Sequence, residues 1–189
     1  LLFNFGFGKY KFNKLESSAR ANLEAKNYKE AREKFSQLYE KSSDKKYLDE
    51  INKIDKNLEA KDTFNKANQK FEGRDYEASL AYLKDLESDD DELKEKKDSL
   101  IEKNYSAIKA EISQLTSSNN YEGAIKRLNS YLAVDPENAD FKKMLEDINS
   151  QKLDSEKKAE EESEALKEKA RADELEEQIA KLKNAEASN

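Results

Sequence analysis

Carboxylates are the side chains with which this chain could do acid–base chemistry. The 189-residue sequence contains no histidine and no cysteine, which removes the commonest general base, thiolate nucleophiles and thiolate zinc sites. Acidic clusters remain at Asp89–Glu92 and Glu160–Glu162. A glycosidase-like reaction needs two carboxylic acids held across a cleft, one of them with a raised pKa. Both clusters are instead typical of a helix cap or a solvated helix face, so we expect no enzymatic activity.

The first of these clusters is also a poor cation site. Asp89, Asp90 and Asp91 offer oxygen ligands, but the segment lacks the glycine and the ligand spacing of a calcium loop. The run directly precedes a segment with helical apolar periodicity, where carboxylates cap a helix and oppose its positive dipole end. The sequence therefore predicts neither a bound metal nor a cofactor.

Composition indicates an all-α protein. Charged residues make up 41% of the chain against 35% hydrophobic residues, and there are only 4 glycines and 1 proline. Such a composition favours long, solvent-facing helices over sheets and turns. The formal net charge of −7 is spread over mixed lysine and glutamate, so no cationic face is available to neutralise a phosphate backbone. We expect no nucleic-acid partner.

Three segments repeat one pattern at fixed offsets from a tyrosine. A small residue lies three positions after each tyrosine, and a large apolar residue lies seven positions after it. The three sets are Tyr28, Ala31 and Phe35; Tyr76, Ser79 and Leu83; and Tyr121, Ala124 and Leu128. This spacing gives a helix one packing face, and units of this kind bury their apolar stripes by stacking on their neighbours. The pattern predicts helical hairpins whose role is binding rather than chemistry.

Apolar periodicity and capping residues outline the helices that position these residues. A first hairpin is predicted over 13–26 and 28–40, and a second over 44–72 and 76–86. A third is predicted over 93–117 and 121–134. Gly73 is expected to supply the left-handed residue that ends a long helix, and Pro136 to preset the helix that follows.

The offsets around each tyrosine resemble those of the tetratricopeptide repeat family. Tyr121, Ala124, Leu128 and Pro136 match four family positions, and the segment Asp135–Ala139 is similar to the junction between family repeats. The resemblance covers residues 13–150 and implies three elongated hairpins that form a short solenoid. The tyrosines are 48 residues apart (28 to 76) and then 45 apart (76 to 121), whereas the family period is about 34. The helices that enter the second and third repeats are therefore expected to be several turns longer.

The resemblance also implies a concave surface that receives a partner protein, as a peptide or a helical segment. The first helices of the hairpins line that surface in the family. The corresponding positions here are Glu16, Arg20, Phe64, Asn68, Phe71, Lys109 and Ser113. Two interpretations of Phe64 and Phe71 stay open, because the rings could anchor a partner or could belong to the core.

The two ends of the chain differ from this repeat region. Residues 1–12 form an apolar and aromatic stub that ends in lysines, and we expect it to be a membrane-proximal segment, a strap docked on the first hairpin or a free binding segment. Residues 151–189 are predicted to form a charged helix. Leu175, Ile179 and Leu182 have the spacing of a coiled-coil seam, and the alternative is a solvated single helix.

These features favour a non-enzymatic protein–protein interaction scaffold. The alternative is a structural homo-oligomer assembled through the C-terminal helix. An abundance of lysine, asparagine and serine resembles the composition of spirochaete cell-envelope proteins with similar repeats. By that resemblance, a bacterial cell envelope is favoured over the cytoplasm, with the chain tethered upstream of Leu1 and facing the periplasm.

Overall fold

The computed structural model of the chain describes the backbone of residues 2–188 and the side chains of residues 6–188. In that part of the chain the secondary structure consists of seven helices, and there are no strands. The helices are α1 (Leu2–Glu24), α2 (Tyr28–Ser42), α3 (Lys45–Glu72), α4 (Tyr76–Lys84), α5 (Asp91–Ser117), α6 (Tyr121–Val134) and α7 (Ala139–Ala187). The prediction of an all-α chain with a long C-terminal helix is confirmed.

The chain divides into two compact units. The N-terminal unit is Leu1–Lys109 and the C-terminal unit is Ala110–Asn189, so that α5 contributes to both. In the N-terminal unit, α2 packs against α1 and α3, and α3 packs against α4. In the C-terminal unit, α6 packs against α7.

Three of the turns between helices share one geometry. The residue two before each repeat tyrosine has a positive φ: Lys26 at 58°, Arg74 at 62° and Asn119 at 58°. The next residue donates its N–H to a carbonyl five positions back, at 2.8–2.9 Å. That bond marks the Schellman ending of a helix, in which one residue is left-handed. The tyrosine then begins the following helix in all three turns.

The prediction for Gly73 was wrong in its position. Gly73 has φ −76°, and the left-handed residue is its neighbour Arg74. The reason is the hydrogen bond from Asp75 N–H to the carbonyl of Lys70, which fixes the residue before Asp75 in the left-handed region. Asp75 caps α4 by accepting a hydrogen bond from Ala78 N–H at 3.2 Å.

The repeat positions belong to the core. The small and large residues three and seven after each tyrosine are fully buried, and the three tyrosines themselves are half-buried. Burial of such side chains contributes roughly 25 cal/mol per Å² of apolar surface. Buried members of the pattern are Ala31, Phe35, Ser79, Leu83, Ala124 and Leu128.

Aromatic packing centres the N-terminal unit on Tyr47, which is 1% exposed. Its ring centroid lies 6.2 Å from that of Phe35 and 6.0 Å from that of Phe12. A second cluster joins α3, α4 and α5 through Ala67, Leu83 and Leu100. These two clusters hold the middle of α3 in place between the first hairpin and α5.

A polar network joins α5 and α6 in the C-terminal unit. The Tyr131 hydroxyl donates to Glu111 Oε2 at 2.6 Å, and Arg127 Nε donates to Glu111 Oε1 at 2.8 Å. Burial and the neighbouring carboxylate hold the pKa of Tyr131 well above its usual value. The ring of Tyr131 also packs on Phe141 of α7, at 6.0 Å between centroids.

Helix boundaries differ from the predicted ones at both ends of the chain. α1 begins at Leu2 rather than at residue 13, so residues 2–12 of the stub belong to a helix. Phe7 and Tyr10 are 59% and 63% exposed, so these two rings do not dock on the first hairpin, whereas the ring of Phe12 packs on Tyr47. Leu1 and the side chains of residues 2–5 lie outside the described residues. α7 runs unbroken through the boundary predicted at 150/151, because no glycine or proline interrupts it.

Two smaller differences concern α4 and Pro136. α4 ends at Lys84 rather than at residue 86. Pro136 lies in the turn before α7 rather than in its first turn. The cap of α7 is Asn138, whose Oδ1 accepts a hydrogen bond from Phe141 N–H at 3.0 Å. Asparagine at this position satisfies one of the free N–H groups of the first turn.

Candidate functional site

A pocket of about 140 Å³ lies in the N-terminal unit. Three elements supply its walls: the turn between α1 and α2, the middle of α3 and the first turns of α5. The turn contributes Lys26 and Tyr28. α3 contributes Asn57, Lys61, Phe64 and Asn65, and the third wall consists of Asp90, Glu92, Leu93 and Lys96.

The α3 wall is a polar stripe beside an aromatic ring. Asn57, Lys61 and Asn65 follow each other at intervals of four residues, which places them on one face of the helix. Within the described residues, none of these three side chains makes a hydrogen bond or an ion pair, whereas the pocket's two other lysines, Lys26 and Lys96, are both paired. Phe64 is half-buried next to them. The stripe therefore offers two amides, one ammonium and an apolar surface to a ligand.

Asp90 organises the opposite wall. Its carboxylate accepts hydrogen bonds from Lys26 Nζ at 2.9 Å and from the Tyr28 hydroxyl at 3.1 Å. Its Oδ1 also accepts from the backbone N–H groups of Glu92 and Leu93, at 3.0 and 3.4 Å, which caps α5. The prediction that the acidic run caps a helix is confirmed. One carboxylate thus ties the first hairpin to the start of α5.

Charge pairing shifts the pKa values of these groups. The hydrogen bond from Lys26 lowers the pKa of Asp90 and raises the pKa of Lys26. Hydrogen bonds from Lys96 first and Lys26 second lower the pKa of Glu92. These carboxylates are therefore ionised at neutral pH and act as acceptors rather than as acids.

The pocket has one more positively charged side chain than negatively charged ones. Three lysines and two carboxylates line it, and both carboxylates are engaged by Lys26 or Lys96. The remaining cation is Lys61, and among the described residues it has no carboxylate within 4 Å. The pocket therefore favours a ligand that carries negative charge toward α3.

A wider and more open depression lies between α3 and α4. Its volume is about 440 Å³, and Ala60, Thr63 and Tyr82 form part of its lining. Tyr82 is 38% exposed. One lysine, Lys56, lines it against three carboxylates, so it does not offer an anionic ligand the uncompensated cation that Lys61 offers in the first pocket.

The residues predicted from the repeat resemblance do not form one site. Only Phe64 lines the pocket, and it also packs against the core cluster around Ala67. Phe71 packs on that same cluster and on the ring of Tyr76 at 5.7 Å. For both rings the core interpretation holds, and for Phe64 a ligand-facing role stays open as well.

The polar members of that prediction lie elsewhere. Glu16 and Arg20 pair with each other on α1 at 3.2 Å. Asn68 donates a hydrogen bond to Glu72 at 2.8 Å. Lys109 and Ser113 are exposed on α5, one in each unit.

Sequence reasoning missed most of the pocket. The four-residue spacing of Asn57, Lys61 and Asn65 was a signal that the sequence did carry. The proximity of Lys26 and Asp90 had no such signal, because the two residues are 64 positions apart.

The described residues lack two other kinds of functional feature, a cluster of metal ligands and a membrane-spanning helix. They contain no group of three or more acidic side chains arranged to hold a metal ion. None of the described helices is long and apolar enough to span a bilayer. The membrane association predicted for residues 1–12 stays a prediction.

Comparisons with known proteins complete the description of the site. No protein-family model, no curated protein and no solved structure matches this chain.

Proposed function

We propose that this chain is a non-enzymatic protein-interaction scaffold whose partner presents an acidic segment to the pocket of the N-terminal unit. The observation that carries the proposal is the α3 stripe. Asn57, Lys61 and Asn65 line the pocket next to the half-buried ring of Phe64, and they have no hydrogen-bond or ion-pair partner in the part of the chain that the structure describes. Exposed groups of this kind are satisfied by water in the free protein and are available to a ligand.

Carboxylates match the chemistry of the stripe. An aspartate or glutamate of the partner can pair with Lys61 and accept hydrogen bonds from the Nδ2 atoms of Asn57 and Asn65. Phe64 and Leu93 then provide apolar surface for a neighbouring aliphatic side chain. A small apolar centre with a polar rim is the usual anatomy of a protein interface.

Binding at this pocket requires little rearrangement. Asp90 holds the walls together through Lys26 and Tyr28, and the α3 wall is fixed by the core beneath it. A preformed pocket spares the partner the entropy cost of ordering it. The proposed mechanism is therefore the docking of a short acidic segment onto a rigid helical surface.

Peptides that differ only in charge test the proposal. A single sequence with one leucine is synthesised in acidic, neutral and basic versions, and binding to the full chain is measured by fluorescence anisotropy. We expect the acidic version to bind and the basic version not to bind. Lys61→Glu should weaken the acidic peptide by about tenfold or more, because it replaces an attraction with a repulsion.

Lys53→Glu is the matched control, because Lys53 is an exposed lysine of the same helix that does not line the pocket. The control should bind the acidic peptide like the wild type. Equal losses in the two variants would show a general charge effect, and affinity unchanged in Lys61→Glu would reject the pocket as the binding site.

A further inference from the structure

The part of α7 beyond residue 152 lies apart from the packed side chains of the C-terminal unit. Every residue from 153 to 188 is exposed. Ion pairs along the helix support it, among them Glu164 with Lys167 at 3.2 Å and Glu177 with Lys181 at 3.1 Å. Such pairs contribute little each, and a single helix in water is only marginally stable without packing.

Large apolar side chains on this exposed helix are concentrated on one face near its end. Leu175, Ile179 and Leu182 are 58%, 50% and 67% exposed. Their spacing of four and then three residues places them at successive d, a and d positions of a heptad repeat. Ala172 and Ala165 continue the a positions toward the N-terminus. Leu166 lies on the opposite face of the helix.

Residues that flank this seam have complementary charges. In the same heptad frame Glu164 and Arg171 occupy g positions, and Lys169 and Glu176 occupy e positions. Two parallel copies in register would bring each g residue next to the following e residue of the other copy. Glu164 would then face Lys169, and Arg171 would face Glu176, so both pairs are attractive.

We propose that residues 165–182 of α7 bind the same residues of a second copy in a parallel, in-register, two-stranded coiled coil. Ile179 at an a position and leucines at the two d positions that flank it, 175 and 182, favour two strands. The seam is short and includes Glu168 at a d position, so the association is weak and depends on concentration. This self-association is independent of the pocket and of its acidic partner.

A single cysteine reports the register of the proposed dimer. The natural chain has no cysteine, so Ile179→Cys introduces the only thiol. Equivalent a positions of a parallel dimer lie close enough for a disulfide, whereas an antiparallel arrangement separates them. We expect Ile179→Cys to form a disulfide-linked dimer under mild oxidation. Leu166→Cys, on the opposite face of the same exposed helix, should stay mostly unlinked. Equal linkage of the two variants overturns the proposal.

Sedimentation of the full chain measures the dissociation constant of the dimer and so tests the proposed pairs between Arg171 and Glu176. Arg171→Glu should weaken the dimer by about tenfold, because the two symmetric pairs become repulsive and an exposed pair contributes up to about fivefold. Adding Glu176→Arg to that variant should restore the wild-type dissociation constant. Neither position has a tertiary contact in the described residues, so we expect both variants to fold like the wild type.

Two results overturn the parallel coiled coil. One is a wild-type chain that stays monomeric up to about 1 mM, the weak end of specific association. The other is a dimer whose dissociation constant is the same in the wild type, in Arg171→Glu and in the double variant. That second result would indicate an antiparallel or unrelated contact between copies.

Discussion

Asp90 combines two roles in one carboxylate. It caps α5 through two backbone N–H groups, and it accepts hydrogen bonds from Lys26 and Tyr28 of the first hairpin. Its side chain is only 13% exposed, so solvent screens these contacts less than those of the surrounding charges. The residue therefore contributes to stability more than its position in an acidic run suggests.

Asp90→Asn separates the two roles. Asparagine caps helices about as well as aspartate, so the loss should come from the contacts with Lys26 and Tyr28. We expect a decrease of about 1 kcal/mol in the free energy of unfolding at pH 7, the size of a partly screened charged hydrogen bond. Urea unfolding followed by circular dichroism measures it.

The same variant should remove part of the acid sensitivity of the protein. The pKa of Asp90 is lowered in the folded state, so its contribution is present above its unfolded pKa and is lost as the pH falls below about 4. The wild type and Asp90→Asn should therefore converge in stability toward pH 3. Asp91→Asn is the control, since Asp91 is 92% exposed and should change little. A difference that stays constant from pH 7 to pH 3 would contradict this assignment.

At the scale of residues, part of the pocket could be predicted from the sequence. A capping role for the acidic run could be predicted because a cap is a local arrangement. The contact of Asp90 with Lys26 could not be predicted, because it depends on how α3 and α5 pack beside the first hairpin. For Phe64 the sequence left a partner-facing role and a core role open, and its contact with the core cluster is visible only in the packed structure.

Arg74 and Gly73 show how a turn is specified at the scale of elements. The three repeated turns place their left-handed residue two positions before the tyrosine, and none of them has glycine there. A non-glycine residue in this region costs roughly 1 kcal/mol. The pattern of hydrogen bonds, and not the nearest glycine, decides where the helix ends.

Substitutions at Arg74 and at Gly73 test which of the two residues has to be left-handed. Arg74→Gly should raise the free energy of unfolding by up to about 1 kcal/mol, because it relieves the left-handed strain. Gly73→Ala should be neutral or slightly stabilising, since an added Cβ meets its nearest backbone atom at 3.4 Å, an ordinary contact. Thermal unfolding of both variants provides the comparison. A marked loss of stability in Gly73→Ala would contradict the assignment of the left-handed conformation to Arg74.

Helix periodicity predicted the interior of the elements better than their ends. The offsets from each tyrosine identified buried positions because burial follows a 3.6-residue period. The start of α1 was missed because Gly6 and Gly8 lower helix propensity in the stub, and the helix forms in spite of them. The length of α7 was missed because its loss of apolar residues looked like a boundary, although nothing in the sequence breaks the helix there.

At the scale of the whole molecule, we expect the exposed part of α7 to be removable without destabilising the rest of the chain. Among the described residues, removal of 157–189 takes away only exposed side chains. We expect the remaining chain to keep its urea midpoint, with a change below about 0.5 kcal/mol, because surface changes away from packed features have small effects. Tyrosine fluorescence follows the transition. A decrease above 1 kcal/mol would mean that the helix end stabilises the rest of the chain.

The arrangement of the whole chain was the least predictable level. The 48- and 45-residue spacing correctly indicated long helices, and α3 and α5 have 28 and 27 residues. A division into two units within α5 had no signature, since that helix has a continuous apolar period across residues 109 and 110. The solenoid implied by the repeat resemblance stays a prediction.

The ion pair between Lys26 and Asp90, called here the Lys26–Asp90 tie, also has a consequence for folding kinetics. It joins residues 64 apart, whereas the extensive helix contacts of the N-terminal unit join consecutive helices. Contacts between chain neighbours close short loops and form early, so we expect the hairpins to precede the tie. An interaction that forms after the transition state slows unfolding without accelerating folding. The lifetime of the pocket, once formed, would then depend on one carboxylate.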